Sequence, residues 1–321
     1  MPAILTNKWV RAVVSLSIYA LLFVFIGKYL GNLDFDKLSE IEFNWWFMVA
    51  ALPFSILSRV FLPYIWTKLI GSYQKLDSSN QYWELNYVYA KAWLGKYIPG
   101  KVAWVAGKVY FALGLGISKT ILGITSVVDT ILQLLTALLL GVVFLFISGA
   151  SSNFSTTYNV FFLVSSIVGL IAISPPVFNR LLQTGYKLLK KKKLEERYLL
   201  KAPALLRIAP MYFVIHSLSS LPIYFLIRSA GYELSPIDLM YVSGAFIFAG
   251  AVGTLAIFAP SGIGVREGII LLFLSNVLPA EVSVVIVVLL RLWSVVLDLT
   301  YWAMSYIIVK YRRGYSSSGK G

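Results

Sequence analysis

Long apolar runs dominate the chain, and short polar clusters separate them. Six of these runs approach the roughly 20 apolar residues that a helix needs to cross a bilayer. They extend from about residue 10 to 30, 45 to 66, 121 to 147, 160 to 173, 208 to 227 and 282 to 309. The pattern therefore predicts an all-α polytopic membrane protein with about six full spans.

Two further apolar regions are interrupted by polar residues, glycine and proline. Lys91, Lys96, Lys101, Lys108 and the break YIPGK interrupt residues 84–119, and residues 237–278 contain the break APSGIGVREG. Irregular backbone inside a bilayer is tolerated only where protein or a water-filled cavity surrounds it. We therefore expect two re-entrant broken hairpins, each returning to the side that it entered. Eight crossings, with the arms counted as separate spans, are the alternative, and the loop charges do not separate the two counts.

The order of these segments repeats along the chain. Two spans, a broken hairpin and a further span make up residues 1–157, and the same order follows in residues 158–321. Inverted repeats are common among transporters, in which interrupted segments at matching positions of the two halves point to the binding site. The order predicts two membrane halves of opposite orientation, with a cavity between the two breaks.

Composition excludes several classes of protein. Hydrophobic residues make up 59% of the chain and charged residues 13%, whereas about a quarter of a soluble domain is charged. Because the chain has no cysteine and one histidine, disulfides, thiol catalysis and Cys- or His-rich metal sites are excluded. The sequence has no nucleotide-binding motif, and we predict neither a metal nor a cofactor.

The net charge of +14 comes from basic residues that cluster in loops. Residues 175–207 carry nine Lys or Arg against two Glu, which predicts a cytoplasmic loop by the positive-inside rule. The same rule places both termini in the cytoplasm, in a multi-pass protein of the cell membrane. Clustered basic residues between apolar runs favour anionic lipid as the partner and argue against nucleic acid.

The second break holds the strongest candidate site. Pro260 removes a backbone donor, while Gly262 and Gly264 permit positive φ and close approach of another group. We expect a hairpin tip near the middle of the membrane, where Arg266 binds an anionic headgroup. Glu267 either holds Arg266 in place or pairs with another cation. A plain loop at the membrane surface is the competing interpretation, because charges at membrane depth are costly.

The break of the first hairpin is the expected counterpart of this tip. Lys96 and Lys101 flank Pro99 and Gly100, so the two breaks together supply basic, irregular backbone on both sides of the cavity. We predict that these four residues and the five of the second break bind the substrate.

Other charges fall inside predicted spans, namely Arg59, Asp129, Arg291 and Asp298. Such charges face either a partner or a water-filled path. A structural Arg–Asp pair that locks two helices and a role in substrate passage both remain open for them. The aromatics Trp45, Trp46, Tyr64 and Trp66 are expected to form interfacial belts.

Two motifs resemble the transmembrane region of bacterial lysylphosphatidylglycerol synthases. They are WLGKYIPGKVAWVAGKVY in the first half and PSGIGVREGIILLFL followed by RLWSVVLDL in the second. The resemblance covers nearly the whole chain and implies site roles for Gly95, Lys96, Pro99, Gly100, Pro260, Gly262, Gly264, Arg266, Glu267 and Gly268. In the full synthases this region is associated with flipping an aminoacylated lipid between leaflets, and a separate soluble domain, not expected here, performs aminoacyl transfer.

The sequence favours a lipid transporter or flippase for an anionic or glycosylated lipid of the phospholipid or polyprenyl-phosphate type. A membrane-embedded enzyme acting on a lipid phosphate is one alternative, and a scaffold for a cell-envelope glycosyltransferase is another. An enzyme needs a placed acid, base or nucleophile. The acidic residues and the histidine form no recognised constellation, so we assign no catalytic residue.

Overall fold

The structure, a computed structural model, describes residues 41–76, 79–97, 102–150, 156–256 and 259–318. Every regular element within these ranges is a helix. The helical class follows from the composition, because in a bilayer a helix satisfies all of its backbone hydrogen bonds internally. The first predicted span, at about 10–30, lies outside the described residues.

Five helices are long and apolar enough to cross a membrane. They are α1 (Trp45–Gly71), α4 (Lys119–Leu145), α7 (Ala202–Ser229), α8 (Pro236–Leu255) and α10 (Ala280–Ser318). Four of them confirm the second, third, fifth and last predicted spans. The protein is therefore a multi-pass, all-helical membrane protein.

The fourth predicted span is followed by a helix where the sequence predicted a loop. Helix α5 (Thr156–Ile173) is followed by α6 (Pro175–Lys190), and the two axes are bent by 79° at Ser174. Helix α6 is amphipathic, since Phe178 and Leu182 are buried against the core while Lys187 is exposed. The charges of residues 175–207 predicted the side of the membrane for this connection and not its secondary structure, and α6 forms its first half.

The first broken region consists of two short arms. Helix α2 (Ser79–Trp93) ends in a 3₁₀ turn, Leu94–Tyr97, and α3 (Val102–Phe111) packs against α2. At 1.5 Å per residue these helices are about 22 Å and 15 Å long, which is too short to cross a bilayer.

The second broken region differs from the expected pair of short arms. Helix α8 has the length of a full span, and only α9 (Val265–Leu274), which follows the 3₁₀ turn Pro260–Gly262, is short. The two helices pack against each other. The division of the chain into two inverted halves stays a prediction.

Close backbone contacts fix the helices around the cavity. A Cβ atom on Gly141 of α4 would lie 2.8 Å from the backbone nitrogen of Phe248 in α8, and one on Gly244 would lie 3.0 Å from the Gly141 oxygen. Larger residues would force these two helices apart. Small residues permit such close approach in membranes, where packing and not the hydrophobic effect drives association.

Candidate functional site

A cavity of about 270 Å³ lies between the five span-length helices and the two broken regions. Arg59 and Asp298, which line it, lie near the midpoints of α1 and α10. The cavity therefore lies level with the midpoints of these two helices. Charges at that depth are expected to face a partner or a path for substrate.

Asp298 is the centre of a bonded cluster on one wall of the cavity. Only 1% of its side chain is exposed, and it forms salt bridges with Arg59 at 3.0 Å and Lys96 at 2.5 Å. It also accepts hydrogen bonds from the Tyr97 hydroxyl at 2.7 Å and the Trp93 indole at 3.3 Å. The cluster ties α1 and the first 3₁₀ turn to α10.

Each nitrogen of the Arg59 guanidinium donates to a partner. Besides Asp298, it donates to the backbone oxygens of Ser55 at 3.0 Å and Ser294 at 3.3 Å. The structural Arg–Asp pair therefore exists, and it joins α1 to α10. Arg291, which shares a helix face with Asp298, bonds to a different partner.

The second break has the strained backbone that its glycines predicted. Gly262 has φ 70° and Gly264 has φ 83°, and Ser261 between the helices has φ 51°. An added Cβ on Gly262 would lie 2.9 Å from the Gly253 oxygen, so α8 approaches the turn too closely for a side chain. The turn depends on glycine for both conformation and space.

Glu267 caps the helix that follows the break. One carboxylate oxygen accepts the Gly264 N–H at 2.7 Å, and the other accepts from Arg291 at 3.3 Å. Of the two alternatives that the sequence left open, pairing with another cation is confirmed. Arg291 in turn lies over the Tyr97 ring at 5.8 Å, which connects the cap to the first break.

Arg266 lines the cavity without a bonded counter-ion among the described residues. Its guanidinium lies over the Phe246 ring at 4.7 Å, and its buried Nε atom has no hydrogen-bond partner there. Its stem packs on Gly253, where an added Cβ would lie 3.1 Å from the Arg266 Cβ. Arg266 is thus positioned by packing, at the wall of the cavity that it lines.

The two breaks meet in space, as the sequence analysis expected. The turns Leu94–Tyr97 and Pro260–Gly262 contact each other, and Lys96 and Ser261 both line the cavity. Gly95 permits the first turn to approach α3, since a Cβ there would lie 2.9 Å from the Trp104 nitrogen. Pro99, Gly100 and Lys101 lie outside the described residues, as does the side chain of Pro260, so their site roles stay predictions.

A second buried ion pair adjoins the cavity, and the sequence analysis had identified only its acid. Lys108 and Asp129, which are 1% and 0% exposed, are 2.6 Å apart. Tyr212 and Gln133 donate to Asp129 at 2.5 Å and 2.9 Å. The bonds among these four side chains join α3, α4 and α7. They leave neither the ammonium group nor the carboxylate without a partner.

Aromatic residues enclose the Lys108 ammonium group. It lies 4.7 Å from the ring centre of Trp104, 5.0 Å from that of Tyr89 and 5.5 Å from that of Trp66. The expectation that Trp66 belongs to an interfacial belt was wrong, because it is fully buried beside this cation. Trp45 and Trp46 are exposed, as a belt requires.

The sequence did not reveal the tryptophans that line the cavity. Trp93, Trp104 and Trp293 face it, and the Trp293 indole donates to Ser55 at 3.0 Å. His216 contacts the Gln133 backbone oxygen at 3.0 Å and so joins α7 to α4. A tryptophan within an apolar run is ambiguous in sequence, since lipid-facing and cavity-facing positions look alike.

Comparison with known protein families gives a match over most of the chain. The model of the family described as the lysylphosphatidylglycerol synthase TM region matches residues 10–300. No curated protein matches the chain. The family match confirms the resemblance that the two break motifs indicated.

Proposed function

We propose that this protein, which belongs to the lysylphosphatidylglycerol synthase transmembrane-region family, transports lipids between leaflets. The transported lipids carry an anionic or glycosylated headgroup. The family is one of membrane proteins in lipid metabolism or transport. The candidate substrates are phospholipids and polyprenyl phosphates. The headgroup passes through the cavity while the acyl or prenyl chains stay in the bilayer.

The observation that carries this proposal is a cationic cavity at the depth of the span midpoints. Transferring an ion from water into hydrocarbon costs tens of kcal/mol by Born solvation, which prevents unassisted passage of a phosphate. Arg266 and Lys96 provide positive charge where that ion would otherwise be unsolvated. The cavity volume, about 270 Å³, is below the roughly 300–1,000 Å³ of sites for drug-sized ligands, so it suits a headgroup alone.

The bonding of the acids favours transport over catalysis. Both oxygens of Asp298 and both of Glu267 already accept hydrogen bonds from N–H, O–H or cationic groups. A general base must lie within hydrogen-bond reach of the proton that it abstracts, whereas these oxygens bond to groups of the protein itself. The carboxylates of the cavity therefore support a binding role, in which they position the cations.

We further propose the cell membrane as the location, with both termini in the cytoplasm. The support is the distribution of Lys and Arg, which concentrates in residues 175–207 and in the C-terminal segment. A cell-envelope glycosyltransferase that supplies or consumes the lipid is the proposed protein partner.

The test is leaflet exchange in liposomes that contain the purified protein. Fluorescent phosphatidylglycerol and a polyprenyl phosphate are each followed by quenching from outside, and the extracted lipids are examined for chemical products. We expect exchange without new products. Product formation would favour the enzyme, and exchange no faster than in protein-free liposomes would refute transport.

Lysines in the first broken region provide matched variants. Lys96→Ala combined with Lys101→Ala should slow exchange at retained expression, because Lys96 lines the cavity and Lys101 flanks the same break. Lys91→Ala is the control, since Lys91 is an exposed lysine of α2 whose ammonium group lies over Phe111. Equal exchange by the double variant and the control would show that neither lysine contributes to lipid passage.

A further inference from the structure

The carboxylates around the cavity are fully engaged by their neighbours. Asp298 is shared by Arg59, Lys96, Tyr97 and Trp93, and Glu267 by Arg291 and the Gly264 N–H. Neither carboxylate has an oxygen without a partner. A cationic group that entered the cavity would therefore meet no free acid among the described residues.

The charged side chains around the cavity include more cations than carboxylates. Four cations, Arg59, Lys96, Arg266 and Arg291, interact with two carboxylates, Glu267 and Asp298, so the described cluster carries a surplus of two positive charges. Arg266 holds the clearest part of this surplus, because its Nε is buried without a partner and no described carboxylate forms a salt bridge with it. Uncompensated charge in a membrane interior is costly unless a ligand or water neutralises it.

We propose that the cavity selects headgroups that carry two negative charges, as a terminal phosphomonoester does, over singly charged and cationic headgroups. This inference rests on the proposed transport function and names its substrate class. The phosphate would accept two parallel hydrogen bonds from the planar Arg266 fork and lie close to Lys96. A lysyl headgroup, which adds an ammonium group, would be repelled by the surplus.

The fixed position of the Arg266 side chain favours specific binding of a phosphate over non-specific attraction of any anion. Its stem is fixed against Gly253 and its plane against Phe246, so little rotamer entropy is lost on binding. Phosphate and guanidinium then form charge-assisted bonds in a site partly shielded from water, where such bonds are stronger than at a surface.

The experiment measures dissociation constants of lipids with identical acyl chains in detergent micelles. The series is phosphatidic acid, phosphatidylglycerol, phosphatidylcholine and lysylphosphatidylglycerol, from pH 5 to pH 8. We expect phosphatidic acid to bind at least about tenfold more tightly than phosphatidylglycerol at pH 8. The attraction between one additional negative charge and an uncompensated cation contributes more binding free energy than a tenfold difference in affinity requires. Its affinity should rise with pH as the second phosphate proton, with a pKa of about 6 in phosphomonoesters, is lost. The affinity for phosphatidylglycerol should stay flat.

Variants tie this selectivity to the cavity. Arg266→Gln should abolish most of the pH-dependent gain for phosphatidic acid, whereas Arg197→Gln, which removes an exposed arginine paired with Glu195, should retain it. Glycerol phosphate, a soluble phosphomonoester without acyl chains, shows whether the cavity binds a free phosphate or requires a lipid headgroup. The selectivity series uses the unmodified protein, so it decides the question even if Arg266→Gln does not fold.

The outcomes separate the two proposals. Tightest binding of phosphatidylglycerol or lysylphosphatidylglycerol, lost in Arg266→Gln, would overturn the selection for two charges and leave lipid transport in place. Binding of glycerol phosphate but not of phosphatidic acid would support the charge selection and refute the lipid substrate. No binding by any probe would overturn both.

Discussion

At the residue scale, Arg266 and Glu267 are neighbours in the chain and have different partners. Glu267 caps α9 and pairs with Arg291 of α10, whereas Arg266 packs on Phe246 of α8 and faces the cavity. Adjacent helical residues point about 100° apart, so two consecutive charges need not form a pair. Glu267 therefore bonds to Arg291 and the Gly264 N–H, whereas Arg266 forms no salt bridge among the described residues.

Arg266→Lys keeps the charge but removes the planar fork, so lipid exchange should fall, and Arg266→Ala should reduce it further. Folding should be little affected, because Glu267 keeps its bond to Arg291 in both variants. Exchange rates and thermal unfolding in detergent measure the two effects. Removal of both Arg266 and Glu267 should destabilise more than Arg266→Ala alone, since Arg291 and the Gly264 N–H lose their partner. The opposite order of stability would mean that Arg266 and Glu267 form a pair after all.

Gly262→Ala should destabilise the protein by about 1–3 kcal/mol, the cost of a residue held in a sparsely populated backbone region. The added Cβ would also meet the Gly253 oxygen at 2.9 Å. Gly123→Ala in α4 is the control, because nothing lies within 4 Å of its added Cβ and alanine favours a helix. If the two variants unfold at the same temperature, the turn is not constrained by its glycine.

At the element scale, short broken helices are held in place by buried charges. The first broken region is tied to α10 by Lys96–Asp298 and to α4 by Lys108–Asp129. Neither α2 nor α3 can cross the membrane, so apolar burial in lipid does not by itself fix their depth. Ion pairs between elements supply that constraint, because separating them in a low dielectric is expensive.

Asp129→Asn should destabilise the protein by about 3–5 kcal/mol, because it leaves the buried Lys108 without its carboxylate. Lys108→Met combined with Asp129→Asn should recover part of this loss, since the orphaned charge is also removed. Thermal unfolding in detergent compares the three proteins. Equal unfolding temperatures for the single and the double variant would show that the ammonium group is satisfied by its aromatic neighbours alone.

At the scale of the whole molecule, two broken regions converge on one cavity from distant parts of the chain. Arg59 and Asp298, which bond to each other, are 239 residues apart. If the predicted division into two inverted halves holds, this convergence is the arrangement found in transporters, in which rocking of one part against another exposes a fixed site alternately. The cavity where the two broken regions meet is the centre of the proposed lipid pathway.

Topology can be tested by labelling single cysteines, because the natural chain has none. We expect Asn153→Cys to react from outside and Ser78→Cys and Lys192→Cys to react from inside intact cells. Positions 78 and 153 lie outside the described residues, so the labelling adds information that the structure does not contain. If positions 153 and 192 react from the same side, the arrangement with six full spans is wrong.

Local properties of the sequence determined the class of the protein, four described spans and the two breaks. Hydropathy over about 20 residues reflects the thickness of the bilayer, and proline and glycine act on their own backbone, so both signals can be read without a partner. The positive φ of Gly262 and Gly264 followed from this reasoning. Helix α6 was not predicted, because its apolar residues at helical spacing lie among many basic ones.

Only the tertiary structure decided which charges pair with one another. Nothing in the sequence indicates that Asp298 is shared by Arg59 and Lys96, that Lys108 reaches Asp129, or that Trp66 is buried. The physical reason is that a charge at membrane depth pairs with whichever opposite charge the packing brings within a few ångströms. That distance depends on helix contacts such as Gly141 with Phe248, between segments about a hundred residues apart.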